Sequence, residues 1–314
     1  MPTSSAGEKA GIDFPYYRFS DFLKERYSGR VYKIPVAVPC SCPNRDGTKG
    51  SDGCIFCGDE AAGFESLDPE IPVSEQIRQN IGYMGKKYKA GKFIAYFQNY
   101  SNTYMESDRF MGYMEEACME KIVALYISTR PDCIDGQHVR FLAGLSKDRG
   151  VDMVIEMGLQ SSSDRSLNIL KRGHTVRDFE KAAGLLNDHG IPFCAHMIND
   201  LPFEDSTQVA KNARFLNETG ASQVKCHSLY VLRGTRLGEM FMEGEMKMLE
   251  CSDFIERSIL FLRNLDKGIV VQRLMGRAPE DRTLFCNYGR SWRAVVDDIV
   301  AAMEENGWHQ GDLV

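Results

Sequence analysis

The sequence predicts an α/β fold in which helices flank a parallel sheet. Three observations predict it: strand-like runs alternate with helical patterns along most of the chain, no long linker interrupts them, and 43% of the 314 residues are hydrophobic. This alternation is typical of βαβ units around one sheet. A chain of this length can bury a substantial core as one barrel or as two small domains.

Six strand–helix units are predicted within the first 230 residues, after a flexible tail over residues 1–15. Periodicity alone leaves open whether they form a doubly wound sheet, a complete barrel or a partial barrel. The predicted strands are Val31–Val38, Phe93–Gln98, Ile122–Thr129, Asp152–Leu159, Pro192–Ile198 and Gln223–Tyr230, and the predicted helices are Val73–Lys89, Ser107–Glu120, Asp135–Lys147, Val176–His189 and Asp205–Glu218.

The pattern changes after Gly244, which predicts a main body over residues 16–245 and a small C-terminal α/β extension over residues 246–314. The extension is predicted to contain a helix near Glu250–Leu265, a strand near Ile269–Leu274 and a final helix over Trp292–Glu305.

The composition limits the ligands, the location and the cofactors that the protein can be expected to have. The formal net charge is −6, so any nucleic-acid contact must come from a local basic patch. No apolar stretch is long enough to span a bilayer, and the polar segment Met1–Lys9 has no signal core. Ten unevenly spaced cysteines then indicate a reducing, cytoplasmic location and favour a cofactor over a disulfide framework.

Cys42, Cys54 and Cys57 form the strongest chemical signal, because they lie in a glycine-rich segment directly after the first predicted strand. Thiolates are the ligands of iron–sulfur clusters, and three of them on a [4Fe–4S] cluster leave one iron open to a ligand such as S-adenosylmethionine (SAM). The alternative is a structural zinc site in a binding protein, with Cys40 as the fourth ligand. Spacing alone leaves both interpretations open.

Six motifs in order extend this signal, and on them the chain resembles the YhcC/YtqA-like family of radical SAM proteins and, more distantly, the Elp3-type and HemN-type enzymes. The resemblance covers residues 16–300. The motifs are CPNRDG at 42–47, GCIFC at 53–57, YFQNYSNTY at 96–104, TRPD at 129–132, EMGLQS at 156–161 and KRGHT at 171–175.

The resemblance implies a partial (β/α)6 barrel with a [4Fe–4S] cluster on Cys42, Cys54 and Cys57. It implies reductive cleavage of SAM to a 5′-deoxyadenosyl radical, with electrons from a reductant such as flavodoxin or ferredoxin. Strand-end residues would bind SAM, since ligands bind at the carboxyl edge of a parallel sheet. By this resemblance, Gln98, Asn102 and Thr103 would hold the methionyl end of SAM. Glu156 would accept hydrogen bonds from SAM hydroxyl or amino groups, and Arg172 would pair with the carboxylate of SAM. Arg130 and Gln160 are the other two residues expected to bind SAM.

The related branch implies tRNA as substrate, with modification of a side chain on the wobble uridine; a small molecule is the alternative. RNA would need a basic surface with aromatic residues. Two segments fit this description, and both could also be ordinary solvated surface. One contains Lys86, Lys87, Lys89 and Lys92 with Tyr83 and Tyr88, and the other contains Arg273, Arg277, Arg282, Arg290 and Arg293 with Tyr288 and Trp292.

Overall fold

The computed structural model describes residues 14–58, 66–88, 90–276, 278 and 282–314. Seven parallel strands form one sheet in the order β1-β2-β3-β4-β5-β6-β8, and β7 pairs with β9 in a small antiparallel ribbon. The strands are β1 (Val31–Val36), β2 (Lys92–Phe97), β3 (Ile122–Thr129), β4 (Asp152–Gln160), β5 (Phe193–Ile198), β6 (Gln223–His227), β7 (Val231–Leu232), β8 (Val270–Arg273) and β9 (Thr283–Phe285).

The sheet curls into a half-barrel, so that its first and last strands approach each other. Lys33 on β1 donates a hydrogen bond to Gln272 on β8 (Nζ–Oε1 2.7 Å). Helices pack on the outside of the sheet, and the main core lies between them and the strands. The helices are α1 (Phe19–Tyr27), α2 (Val73–Tyr88), α3 (Ser107–Ala117), α4 (Gly136–Arg149), α5 (Asp164–Ile169), α6 (Val176–Asp188), α7 (Ser206–Thr219), α8 (Arg236–Met242), α9 (Cys251–Asn264) and α10 (Trp292–Glu305).

Local sequence explains where the outer helices begin and end. Thr175 and Asp178 form a capping box at the start of α6, which satisfies two backbone N–H groups. At the start of α4 the Asp135 carboxylate accepts from the backbone N–H groups of Gln137 and His138, and Gly150 ends that helix with a φ of 64° that a glycine adopts without strain. Each helix therefore returns the chain to the amino edge of the sheet for the next strand.

The strand predicted within the C-terminal extension belongs to the main sheet. β8 pairs in parallel with β6, and α9 packs on α7. The segment after residue 245 thus continues the half-barrel by one strand and one outer helix, because β6 would otherwise present an unpaired edge. The ribbon of β7 and β9 lies at the carboxyl end of the barrel, where Leu232 closely approaches Gly58 of the cysteine segment.

Helix α1, which periodicity did not predict, closes the amino end of the barrel. Its side chains Phe19, Phe22 and Leu23 pack against interior residues of the strands, including Tyr126. Arg26 and Tyr27 both donate hydrogen bonds to Asp152 at the first position of β4. The predicted flexible tail over residues 1–15 lies mostly outside the described residues.

Candidate active site

A cavity of about 510 Å³ lies at the carboxyl end of the half-barrel. Its size is typical of a pocket for a ligand or cofactor. Because all seven strands run in parallel, their carboxyl ends bring distant parts of the chain to this one place. The side chains that line it include Cys42, Cys54, Cys57, Gln98, Arg130, Glu156, Gln160, Arg172, His196, Lys225, His227 and Arg273.

The three cysteines of the predicted cluster all line this cavity. Their segment folds back on itself through backbone hydrogen bonds, including Gly53 N–H to Asn44 C=O at 2.8 Å. Gly53 has a φ of 77°, and a Cβ there would lie 3.2 Å from the Arg45 guanidinium, so this turn requires glycine. The glycine-rich loop after β1 is therefore shaped around the cysteines.

The sulfur atoms are not arranged as a single zinc ion would require. Within the described part of the chain, the sulfurs of Cys42, Cys54 and Cys57 do not all lie within 4.8 Å of one another. A tetrahedral zinc site with ~2.3 Å bonds needs sulfurs roughly 3.8 Å apart. Cys40 is directed away, since its thiol donates to the Asn99 carbonyl (3.4 Å) and does not line the cavity. The zinc alternative therefore lacks its fourth ligand.

Hydrogen-bond donors surround the sulfur of Cys54. Arg172 donates to it from Nη1 at 3.1 Å, and Asn44 donates from Nδ2 at 3.5 Å. Burial and the neighbouring Cys54 raise the pKa of the Cys57 thiol, while Arg45 and Arg172 oppose that rise. Donors and positive charge around sulfur stabilise the deprotonated form that metal binding requires, so these surroundings suit an iron–sulfur cluster.

Five of the seven residues predicted to bind SAM line the cavity, namely Gln98, Arg130, Glu156, Gln160 and Arg172. Arg130 is held by two hydrogen bonds to Asp132, both 3.0 Å, and donates to the Arg172 carbonyl. Gln160 has a φ of 78°, in the left-handed region where a side chain other than glycine is uncommon. Such a conformation at the end of β4 is typical of a functional position.

Asn102 and Thr103 are not among the side chains that line the cavity. The Asn102 amide donates to the carbonyls of Phe97, Asn99 and Ser128, and the Thr103 hydroxyl bonds to Thr129 and to the Cys133 carbonyl. Their predicted contact with SAM stays a prediction, and in this structure they bind the backbone beside the cavity. Short polar side chains satisfy buried backbone groups wherever a loop leaves a strand, and here they fix the loop that carries Gln98.

The floor of the cavity is an ionic network centred on Glu156. This carboxylate is fully buried, and it accepts from Lys33 (2.6 Å), Lys225 (2.8 Å) and His196 (2.8 Å). The lysines and the histidine hold the pKa of Glu156 well below its usual range, even though burial raises it. Burial lowers the pKa of Lys33 to about 8 and that of His196 to about 4. Glu156 is thus an anion bound to the barrel's own cations, and its contact with SAM stays a prediction.

Sequence reasoning missed three floor residues, Lys33, Lys225 and His227. The available signal was their alternation with apolar residues inside strands, which places them on the inner face of the sheet. His196 also lines the cavity, and its ring hydrogen-bonds to Glu156.

The structure changes the interpretation of the arginine-rich C-terminal segment. Arg273 lines the cavity, and Tyr288 is packed between Phe254 and Phe285 with its hydroxyl donating to Asp200 (2.5 Å). Arg290 pairs with Asp298 (2.6 Å). Trp292 lines the cavity together with Arg273, whereas Arg290 lies at a surface ion pair, so the side chains of this segment do not all face one way. Contact of this segment with RNA stays a prediction. Arg277 lies outside the described residues.

The lysine-rich segment lies at the opposite end of the barrel from the cavity. Lys86 and Lys87 are in the last turn of α2, and Lys92 begins β2 at the amino edge of the sheet. Tyr88 stacks on Tyr32 with ring centroids 4.7 Å apart, so its face is already covered. RNA bound here could not place a base in the cavity, and Lys89 lies outside the described residues.

Replacing Arg172 by Met should make the cluster harder to reduce. The variant loses a charged donor to the Cys54 sulfur, and hydrogen bonds to cluster sulfurs favour the reduced state. If this hydrogen bond stabilises the reduced cluster by about 1.4 kcal/mol, its loss lowers the one-electron reduction potential of the cluster by roughly 60 mV. A redox titration followed by electron paramagnetic resonance measures this shift. An unchanged potential would contradict the role given to Arg172.

Comparison with known proteins agrees with this geometry. The family model described as the Radical SAM superfamily matches residues 42–216, and the Radical SAM C-terminal domain matches residues 221–305. The YtqA protein of Bacillus subtilis is 28% identical over 94% of this chain and 92% of its own length, and YhcC of Escherichia coli is 28% identical over 83% of each chain. The tRNA uridine(34) acetyltransferase of Methanocaldococcus infernus is 31% identical over 73% of this chain but only 48% of its own length.

Solved structures show the same fold. Elp3 from Methanocaldococcus infernus, with an N-terminal deletion, aligns with a TM-score of 0.67 at 21% identity over 89% of this chain and 64% of its own. Streptococcus suis SuiB bound to S-adenosylmethionine aligns with a TM-score of 0.52 at 13% identity over 82% of this chain and 54% of its own. No described helix combines the length and apolarity that crossing a membrane would need. The predicted resemblance, fold and cofactors are confirmed: this chain belongs to the radical SAM superfamily, whose enzymes use a [4Fe–4S] cluster and SAM.

Proposed function

We propose that this radical SAM enzyme modifies a side chain on the wobble uridine of tRNA. The observation that carries the proposal is the 31% identity, over 73% of the chain, to an enzyme named for uridine 34 of tRNA. The cavity supports it, since its polar floor suits a polar substituent on a base. When bound, the reduced cluster and SAM supply the 5′-deoxyadenosyl radical that abstracts a hydrogen atom from the substrate.

The chain's own residues would position the reactants and exclude water. Cys42, Cys54 and Cys57 hold the cluster, and Gln98, Arg130 and Gln160 would orient SAM across the strand ends. Helix α1 fills the amino end of the barrel with apolar side chains. A site enclosed in this way keeps other hydrogen donors away from the reacting group.

A wobble uridine is a suitable substrate for a cavity of this shape. It lies in a single-stranded loop, so the base can leave its stack without the cost of breaking a base pair. Net charge is −6, so phosphate contacts must come from local cations near the opening. Exposed Lys171 follows α5 next to the cysteine segment, and exposed Arg233 follows β7.

Charge reversal at these two residues should weaken tRNA binding. Each neutralised phosphate releases condensed counterions, so Lys171→Glu with Arg233→Glu should reduce the salt slope of log Kd by about 0.7–0.9 for each lost contact. The matched control, Lys86→Glu with Lys87→Glu, changes the same number of charges at the opposite end of the barrel. This control variant should keep a salt slope of log Kd closer to that of the wild type.

The substrate itself is tested by nucleoside analysis of tRNA from a strain that lacks this gene. We expect a change confined to nucleosides of the wobble position. An unchanged nucleoside profile, together with no tRNA binding at low salt, would reject the proposal and favour a small-molecule substrate.

A further inference from the structure

Asn44 joins the cysteine segment to the turn at residues 171–173, which follows α5. This asparagine is buried, with only 3% of its surface exposed. Its Nδ2 donates to the carbonyls of Lys171 (2.8 Å) and Arg172 (2.9 Å), and it also donates to the Cys54 sulfur (3.5 Å). One side chain therefore contacts both a predicted cluster ligand and a turn more than 100 residues away in the sequence.

The amide of Asn44 has fewer hydrogens than acceptors. A primary amide carries two N–H groups, whereas three acceptors lie within hydrogen-bond distance of this nitrogen. At least one N–H is therefore shared between a carbonyl of the turn and the Cys54 sulfur. How strongly the sulfur is bound then depends on where the carbonyls of the turn lie.

The position of the turn is fixed by other side chains and by a glycine. The Arg172 carbonyl also accepts from Arg130 (2.7 Å), and the Gly173 carbonyl accepts from Lys49 (3.0 Å). Gly173 has a φ of 67°, and a Cβ at this residue would collide with Oδ1 of Asn44. Only glycine thus lets the amide approach the turn this closely.

We propose that Asn44 is a positioning residue that couples the turn at 171–173 to the reduction potential of the cluster. Hydrogen bonds to cluster sulfurs favour the reduced state, so the N–H that Asn44 directs at Cys54 raises the potential. The same turn carries Arg172, whose guanidinium donates to this sulfur at 3.1 Å. A displacement of the turn therefore changes both donors together. The inference concerns the cluster and does not depend on the identity of the substrate.

The test is a redox titration of Asn44 variants, followed by electron paramagnetic resonance. Asn44→Leu removes the donors at similar size and should lower the equilibrium constant for reduction about tenfold, which is about 59 mV in a one-electron potential. Asn44→Asp should lower it further, because a carboxylate cannot donate and adds negative charge. The matched control Asn168→Asp adds the same charge at an exposed position of α5 and should keep a potential close to that of the wild type.

A second readout detects the hydrogen bond itself. In D2O, electron–nuclear double resonance reports exchangeable deuterons near the reduced cluster. A deuteron signal of the wild type should be missing in Asn44→Leu and present in Asn168→Asp. An unchanged potential in Asn44→Leu, or deuteron signals identical to those of the wild type, overturns the proposal.

Gly173→Ala tests the coupling if the Asn44 variants take up no iron, since it keeps every donor and displaces the amide from the turn. Comparing Arg172→Met with Arg172→Met plus Gly173→Ala excludes the effect of the guanidinium on the Cys54 sulfur. These two proteins should differ severalfold in the equilibrium constant for reduction. Equal potentials overturn the proposal. Loss of the cluster from the double variant alone also overturns it, because the contact would then serve only the assembly of the site.

Discussion

Replacing Cys42, Cys54 or Cys57 by alanine is expected to abolish the iron–sulfur cluster and all SAM cleavage. All three cysteines line the cavity, and a four-iron cluster held by three thiolates has no ligand to spare. Wild-type protein reconstituted without oxygen should contain about four irons per chain, and the variants should contain close to none. Iron and sulfide analysis measures the first effect, and chromatography of 5′-deoxyadenosine measures the second.

Cys40→Ala is the matched control, since this thiol is two residues from Cys42 but donates to the Asn99 carbonyl outside the cavity. Burial raises the pKa of Cys40 to about 12, which keeps it protonated at neutral pH. We expect normal iron content and normal SAM cleavage in this variant. Tightly bound zinc without acid-labile sulfide in the wild type would contradict the assignment of the three cysteines.

Replacing Glu156 by Gln is expected to lower the free energy of unfolding by about 3–5 kcal/mol at pH 7, because it leaves buried cations without their anion. Lys33 and Lys225 both bond to this fully buried carboxylate. Urea unfolding followed by circular dichroism measures the loss. Glu239→Gln is the control, since Glu239 forms an exposed pair with Arg236 and its removal should have no measurable effect.

The loss in Glu156→Gln should shrink as the pH rises. Without the carboxylate, the pKa values of Lys33 and Lys225 in the folded protein fall further below the value near 10.4 of unfolded lysine. The unfolded state then binds more protons than the folded state, so stability increases with pH up to that value. Combining Glu156→Gln with Lys225→Met should recover part of the stability. A single variant as stable as the control would contradict the role of this network.

Local patterns predicted most of the barrel. The predicted strand Ile122–Thr129 has the observed bounds of β3, and the cysteines follow β1 as expected. Periodicity could not show that the strand near Ile269–Leu274 pairs with β6, because this pairing depends on contacts between segments more than 40 residues apart. Helix α1 was missed for a similar reason, since its nine residues are stabilised by the barrel interior rather than by a long periodic pattern.

For the candidate site, the sequence predicted which motif residues lie at the cavity but not which contacts they make. Residues within motifs, such as Cys54 and Arg172, were located correctly at the cavity, although the contact of Arg172 with the Cys54 sulfur required the fold. Charge and aromatic content do not specify the direction of a side chain, so the sequence could not show which residues of the basic segments face the cavity. Arg273 and Arg290 are close in sequence, yet one faces the cavity and the other a surface carboxylate.

Helix α1 limits where substrates enter the enzyme and where products leave it. Phe19, Phe22 and Leu23 fill the amino end of the described part of the barrel, and the cavity lies at the carboxyl end. Methionine, 5′-deoxyadenosine and the modified substrate must then leave by the route through which the next SAM and substrate arrive. A product that still occupies the carboxyl end therefore blocks the binding of the next SAM or substrate at the same place.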